Sequence, residues 1–190
     1  MFNKSTNILS LNAAGSSFTL YIAILHYYER RTCKNIIEEF DYILGSSSGG
    51  LLSLLLAIQN EDKQPKYNLY QTYKIVKDLL NFQEKSCSNF WHSIISGFGI
   101  FSPKCDRTEL DLLIKEIFDN KTANDTGVAP LVISLFLNTS SSIYRSEGYS
   151  FFYDKNSPLM DSSMNYNLSD AASATLSLPV AFQAYNNEHL

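Results

Sequence analysis

Six residues, Gly45-Ser46-Ser47-Ser48-Gly49-Gly50, carry the strongest chemical signal in the chain. The string contains Gly-x-Ser-x-Gly. It lies between an apolar run suited to a strand, Phe40 to Leu44, and a leucine-rich run suited to a helix, Leu51 to Ile58. In that setting it reads as a nucleophile elbow, a tight strand-to-helix turn that presents one serine at the top of a sheet. Glycines leave room where side chains would collide and let the turn adopt unusual dihedrals. The helix that follows aims its partially positive N-terminus at the serine, where it would steady developing negative charge. Ser47 is the candidate nucleophile, framed by Gly45 and Gly49, and the chemistry expected of it is acyl transfer or ester hydrolysis. A flexible Ser/Gly turn without chemistry is the alternative reading of the same residues.

Other chemistries find less support. Ser47, Asp161 or Asp170, and His189 fall in the Ser…Asp…His order of an α/β-hydrolase triad. The elbow, however, follows only one earlier strand, and His189 is the penultimate residue, where chains fray. His26 falls inside an expected helix, and His92 sits beside Trp91 in a structural setting. The Gly-x-Gly-x-x-Gly of a dinucleotide site is missing. The three cysteines, Cys33, Cys87 and Cys105, suit neither a disulfide framework nor a zinc site. No metal or other cofactor is expected.

The elements that must position Ser47 follow from periodicity. Ile8 to Leu11 reads as a short buried strand ending in the small-residue loop Asn12-Ala13-Ala14-Gly15. Ser16 or Ser17 is a natural N-cap for a helix in which Phe18, Ile22, Leu25 and Tyr28 or Glu29 share a face. A linker with Ile36 and Ile37 leads to the strand Phe40 to Leu44. Past the elbow and its helix come a polar hinge, Gln59 to Lys66, and a helical pattern from Tyr67 to Leu80. Asn89 to Pro103 reads as a short helix and loop, whose Phe90, Trp91, Phe98, Ile100 and Phe101 suit a satellite core or an acyl-chain lid. Thr108 to Phe118 reads as an amphipathic helix capped near Asp106 or Thr108, and Asn120 to Pro130 as a turn-rich connector. Strands are expected at Leu131 to Leu137 and Tyr149 to Tyr153, and an alanine- and serine-rich helix at Asn167 to Leu178. This β-loop-α-β-turn-α order implies an α/β fold with a parallel sheet covered by helices.

A chain of 190 residues suits a single domain spanning 1–190, and 45% apolar content supports a folded core. The net charge of -4 and the scattered basic residues exclude a nucleic-acid footprint. The polar start, Met1 to Asn7, lacks a signal-peptide core, and no apolar run reaches membrane-spanning length. A cytoplasmic protein, or one secreted without a recognisable signal peptide, is the expectation. The Asn-x-Ser/Thr triplets at Asn120, Asn124 and Asn167 read as products of composition.

Taken in order, these segments resemble the patatin-like phospholipase family over nearly the whole chain. Ile8 to Phe18 stands where the family carries a strand and a D-G-G-G-x-R-G loop, and Gly45 to Gly49 stands at its elbow. Ser102-Pro103-Lys104-Cys105-Asp106 is similar to its P-K-Y-D helix entry. Asp170 to Pro179 is similar to its A-x-x-A-T-S-A-A-P helix, with Phe182 near an expected aromatic. The resemblance implies a three-layer α/β/α fold with a mainly parallel central sheet. It also implies a Ser–Asp dyad that cleaves acyl esters of phospholipids or related lipids, at a lipid or membrane surface and without a metal.

Carried onto this chain, the resemblance makes Ser47 the nucleophile and Ala13, Ala14 and Gly15 the oxyanion loop. The loop departs from the family pattern, with Asn12 for the aspartate, alanines for two glycines, Ser17 for the arginine and Phe18 for the last glycine. The dyad aspartate, expected in a D-G-G or D-G-A motif after the alanine-rich helix, has no counterpart among Val180 to Leu190. The chain is accordingly expected to be C-terminally incomplete relative to the family. Two readings stay open: a lipid acyl hydrolase, and a degenerate or truncated relative that binds lipid or a partner without turnover.

Overall fold

The computed structural model describes residues 6–87, 107–138, 145–152 and 166–177. The sheet is built from β1 (Ile8–Leu11), β2 (Tyr42–Ser46), β3 (Ala129–Asn138) and β4 (Arg145–Phe152), adjacent in that order. The first three strands run parallel and β4 returns antiparallel. Around them lie α1 (Phe18–Thr32), α2 (Ile36–Glu39), α3 (Ser48–Ala57), α4 (Leu69–Cys87), α5 (Thr108–Phe118) and α6 (Leu168–Thr175). This is the α/β class expected from the order of elements.

The centre of the fold is α3. All ten of its residues are buried, as a helix with apolar residues all round requires. It lies on the face of the sheet that carries Leu11, Ile43 and Val132, and α4 and α6 pack against it. Leu51, Leu54 and Leu55 form one cluster with Val76 and Leu79 of α4 and with Leu110, Ile114 and Phe118 of α5. Leu52 and Leu56 form a second with Leu25 of α1 and Ile36 of α2. Each fully buried leucine contributes about 2 kcal/mol of transfer free energy. On the opposite face of the sheet Ile8 and Ser10 are exposed, and the helices that cover β1 to β3 among the described residues lie on one side.

Several boundaries move for identifiable reasons. β2 starts two residues later than its apolar run, because Phe40 caps α2 and the Asp41 amide donates to the Asn7 carbonyl. Ile36 and Ile37 belong to the short helix α2 rather than to a linker, and the Glu38 carboxylate accepts the Asn35 amide across its first turn. Ser16 and Ser17 do not cap α1 with their side chains; a 3-10 turn, Gly15–Ser17, runs straight into it. α1 ends at Cys33, whose left-handed backbone (φ 57) returns its amide to the Glu29 carbonyl. Helix α4 extends past Leu80 to Cys87. Arg107 occupies the N-cap position of α5 without a side-chain cap bond. The aromatic segment around Trp91, the Ser102–Asp106 string, Pro179 and Phe182 lie outside the described residues.

Candidate functional site

β1 and β2 pair in parallel with Leu11 opposite Gly45, so the chain leaves both strands at the same level of the sheet. From β1 it enters the loop of Ala13, Ala14 and Gly15; from β2 it turns through Ser47 into α3. Neighbouring strands lie about 4.8 Å apart, which puts the two turns in contact. The loop after β1 and the turn after β2 therefore leave the sheet side by side.

Ser47 has φ 53 and ψ -129, a conformation an L-residue adopts only under constraint. Its two framing glycines serve close approach. A Cβ on Gly45 would stand 2.3 Å from the Gly49 carbonyl oxygen, and one on Gly49 would stand 2.1 Å from that of Leu11 and 2.6 Å from that of Asn12. Neither glycine has a positive φ; the unusual dihedrals expected of the elbow glycines fall on the serine itself. The Leu51 amide donates to the Ser47 carbonyl at 3.0 Å, opening the hydrogen-bonded ladder of α3.

The loop tolerates its two alanines for a backbone reason. Ala14 has φ -124, and Ala13 is not among the described residues with positive φ. Gly15, at φ 50, is the position of this loop that needs a glycine, and it is one. The Ala14 amide donates to Ser48 Oγ at 3.3 Å, tying loop to elbow. The other tie is longer in sequence: the Ser47 amide donates to Thr175 Oγ1 at 2.8 Å, across 128 residues.

Among the described residues Ser47 is held through its backbone, and no side chain is hydrogen-bonded to its Oγ. Asp170 sits in the first turn of α6, five residues before Thr175 and so about 7.5 Å further along the helix. His26 is exposed on α1. Neither is brought to Ser47, while Asp161, His92 and His189 lie outside the described residues.

Two polar features were not anticipated from sequence. Arg107 is 8% exposed, and its Nε donates to both oxygens of the Asp111 carboxylate, at 2.8 and 2.9 Å. Its remaining nitrogens donate to the Ser173 carbonyl and Ser177 Oγ, and Ser173 Oγ donates to Asp111 Oδ1 at 2.8 Å. This network fastens the start of α5 to the end of α6. The i,i+4 spacing of Arg107 and Asp111 was the local signal for half of it. The second feature is a cavity of about 230 Å³ lined by Glu29, Asn35, Ile36, Leu56, Tyr67 and Leu69, near the end of α3 remote from Ser47. Burial there raises the Glu29 carboxyl above its ordinary value, against the amide bond it accepts from Ile36. No described helix is long and apolar enough to cross a membrane.

A mainly parallel sheet thus has a second strand that passes through a Gly-x-Ser-x-Gly turn into a buried helix, beside a second turn rich in small residues. The model of the patatin-like phospholipase family matches residues 9–190, and the chain belongs to that family of lipid acyl hydrolases. No curated protein matches it.

Proposed function

We propose that the protein acts on acyl esters of phospholipids or related lipids, with Ser47 as nucleophile. The observation that carries this reading is the Ser47 backbone, kept at φ 53 and ψ -129 by glycine contacts that leave no slack. Strain of that kind costs about 1–3 kcal/mol and persists where the surrounding structure over-determines it. In the reaction Ser47 Oγ attacks the ester carbonyl carbon, the lipid alcohol leaves with a proton, and water then releases the fatty acid from the acyl-serine. On this reading the N-terminus of α3 and the amides of the Ala13–Gly15 loop would meet the charge that develops on the carbonyl oxygen. In the family the serine proton goes to a dyad aspartate, which the resemblance does not assign to any residue of this chain.

A fluorophosphonate probe tests the proposal. Wild-type protein should be labelled at Ser47 and Ser47→Ala should not; labelling that survives Ser47→Ala, or a folded wild type that stays unlabelled, sinks it.

The second reading is a lipid-binding relative without turnover. It is favoured by one observation: the Ala14 amide, a candidate oxyanion donor, is already bonded to Ser48 Oγ. Binding of lipid vesicles by wild-type protein that takes up no probe is its expected signature.

A further inference from the structure

The amide of Ser47 occupies a gap in the backbone bonding of the fold. The parallel ladder of β2 with β3 ends at Ser46 opposite Ile133, so it offers Ser47 nothing. The ladder of α3 uses the Ser47 carbonyl, but a residue preceding a helix finds no acceptor for its own N–H within it. A half-buried amide without a partner would be destabilising, on top of the strain already held in the same residue. The partner comes from Thr175, at the last position of α6.

Thr175 is 8% exposed, and its side chain meets the elbow twice. Its hydroxyl accepts the Ser47 amide at 2.8 Å. Its oxygen and methyl also line the space above Gly50, where a Cβ would stand 2.8 Å from Oγ1 and 3.0 Å from Cγ2. The end of α6 that carries it is fixed independently. Leu168, Ala171 and Ala172 are fully buried in the core, and Arg107 and Asp111 grip Ser173 and Ser177 on either side of Thr175. A rigid helix end, one hydroxyl and one methyl thus bear on Ser47 and Gly50.

We infer that Thr175 is the positioning residue of the elbow: its hydroxyl holds Ser47 in the strained conformation through the Ser47 amide, and the Arg107–Asp111–Ser173 network holds Thr175. The inference deepens the reading of Ser47 as nucleophile and rests on it for its catalytic consequence, though not for the bond itself. One chemical corollary follows. Because the Ser47 amide is engaged by Thr175, charge on a substrate oxygen must be met by other donors, on the loop of Ala13 to Gly15 and at the start of α3.

The test compares wild type, Thr175→Val, which keeps the shape and loses the acceptor, and Thr175→Ser, which keeps the acceptor. Exchange of the Ser47 amide proton is followed by NMR. It should quicken about tenfold in Thr175→Val and stay near wild type in Thr175→Ser. Saturation kinetics with the fluorophosphonate should show the limiting inactivation rate falling about tenfold in Thr175→Val at unchanged half-saturation, with rescue by Thr175→Ser. Equal Ser47 exchange in all three proteins overturns the inference, as does an unchanged limiting rate in Thr175→Val. If Thr175→Val fails to fold, Thr175→Ala against Thr175→Ser isolates the hydroxyl in the same way. A wild type that takes up no probe overturns the nucleophile reading alone, and the exchange comparison still decides the bond.

Discussion

Gly49 lies against the main chain of Leu11 so closely that a methyl group on it would stand 2.1 Å from the Leu11 carbonyl oxygen. The contact joins the elbow helix to the end of β1, where the second loop of the site begins. Gly49→Ala cannot be relieved by a side-chain rotation, since the obstacle is backbone. It should destabilise the protein by about 3 kcal/mol and abolish probe labelling. Gly50→Ala meets the Thr175 side chain first and should cost less than half as much. Urea unfolding of the two variants checks the order; equal losses would show that the Leu11 contact is not special.

Ser47→Gly should make the protein more stable while removing the candidate nucleophile. At φ 53 and ψ -129 a glycine is unstrained, and relief of the strain outweighs the entropy glycine adds to the unfolded chain. A gain of about 1 kcal/mol over Ser47→Ala is expected from thermal unfolding. A Ser47→Gly protein less stable than Ser47→Ala would mean that the turn stores no strain.

Arg107→Met should cost about 3 kcal/mol, because the Asp111 carboxylate is left without its ion pair where Arg107 is 8% exposed. Arg107→Lys should recover little of it, since a single ammonium cannot reproduce the Nε bonds to Asp111 together with the separate bonds to Ser173 and Ser177. The denaturation midpoint measures both. Full recovery by lysine would reduce the network to simple charge.

Asp125 gives the stability a defined pH dependence. The Thr122 amide, bonded to its carboxylate at 2.8 Å, holds the carboxyl below the ordinary aspartate range, with Thr122 Oγ1 and Lys121 adding to the effect against some burial. A depressed folded-state value means that the stabilisation is complete above the unfolded-state value of about 3.9 and is lost as pH falls through the folded one. Asp125→Asn should therefore melt below wild type at neutral pH, and the gap should close below about pH 4. A gap that persists undiminished into acid would assign the effect to shape.

The apolar periodicities of α1, α5 and α6 and the strand–elbow–helix order were legible in the sequence because each is a local pattern. So was α2 in principle, since Asn35 and Glu38 have capping-box spacing, but four residues around two isoleucines look like a linker without it. The start of β2 was obscured because Phe40 and Asp41 serve the preceding turn and Asn7. The elbow was legible as a motif, yet its physics was assigned to the wrong residues: glycine matters there for closeness, and the strain resides in Ser47. Thr175 and Arg107 were hidden because their partners lie 128 and about 70 residues away, beyond any local periodicity.

β1 contributes only four residues, borders β2 alone among the described strands and leaves Ile8 59% exposed, yet it delivers the loop that faces Ser47. Its hold on the sheet is far weaker than that of the buried α3 beside it. Of the described strands β1 is the one expected to part first on warming, which would carry the loop of Ala13 to Gly15 away from Ser47 before the helical core melts. A sample warmed past that point is expected to keep its helical signal while losing uptake of a fluorophosphonate probe, and to regain uptake on cooling.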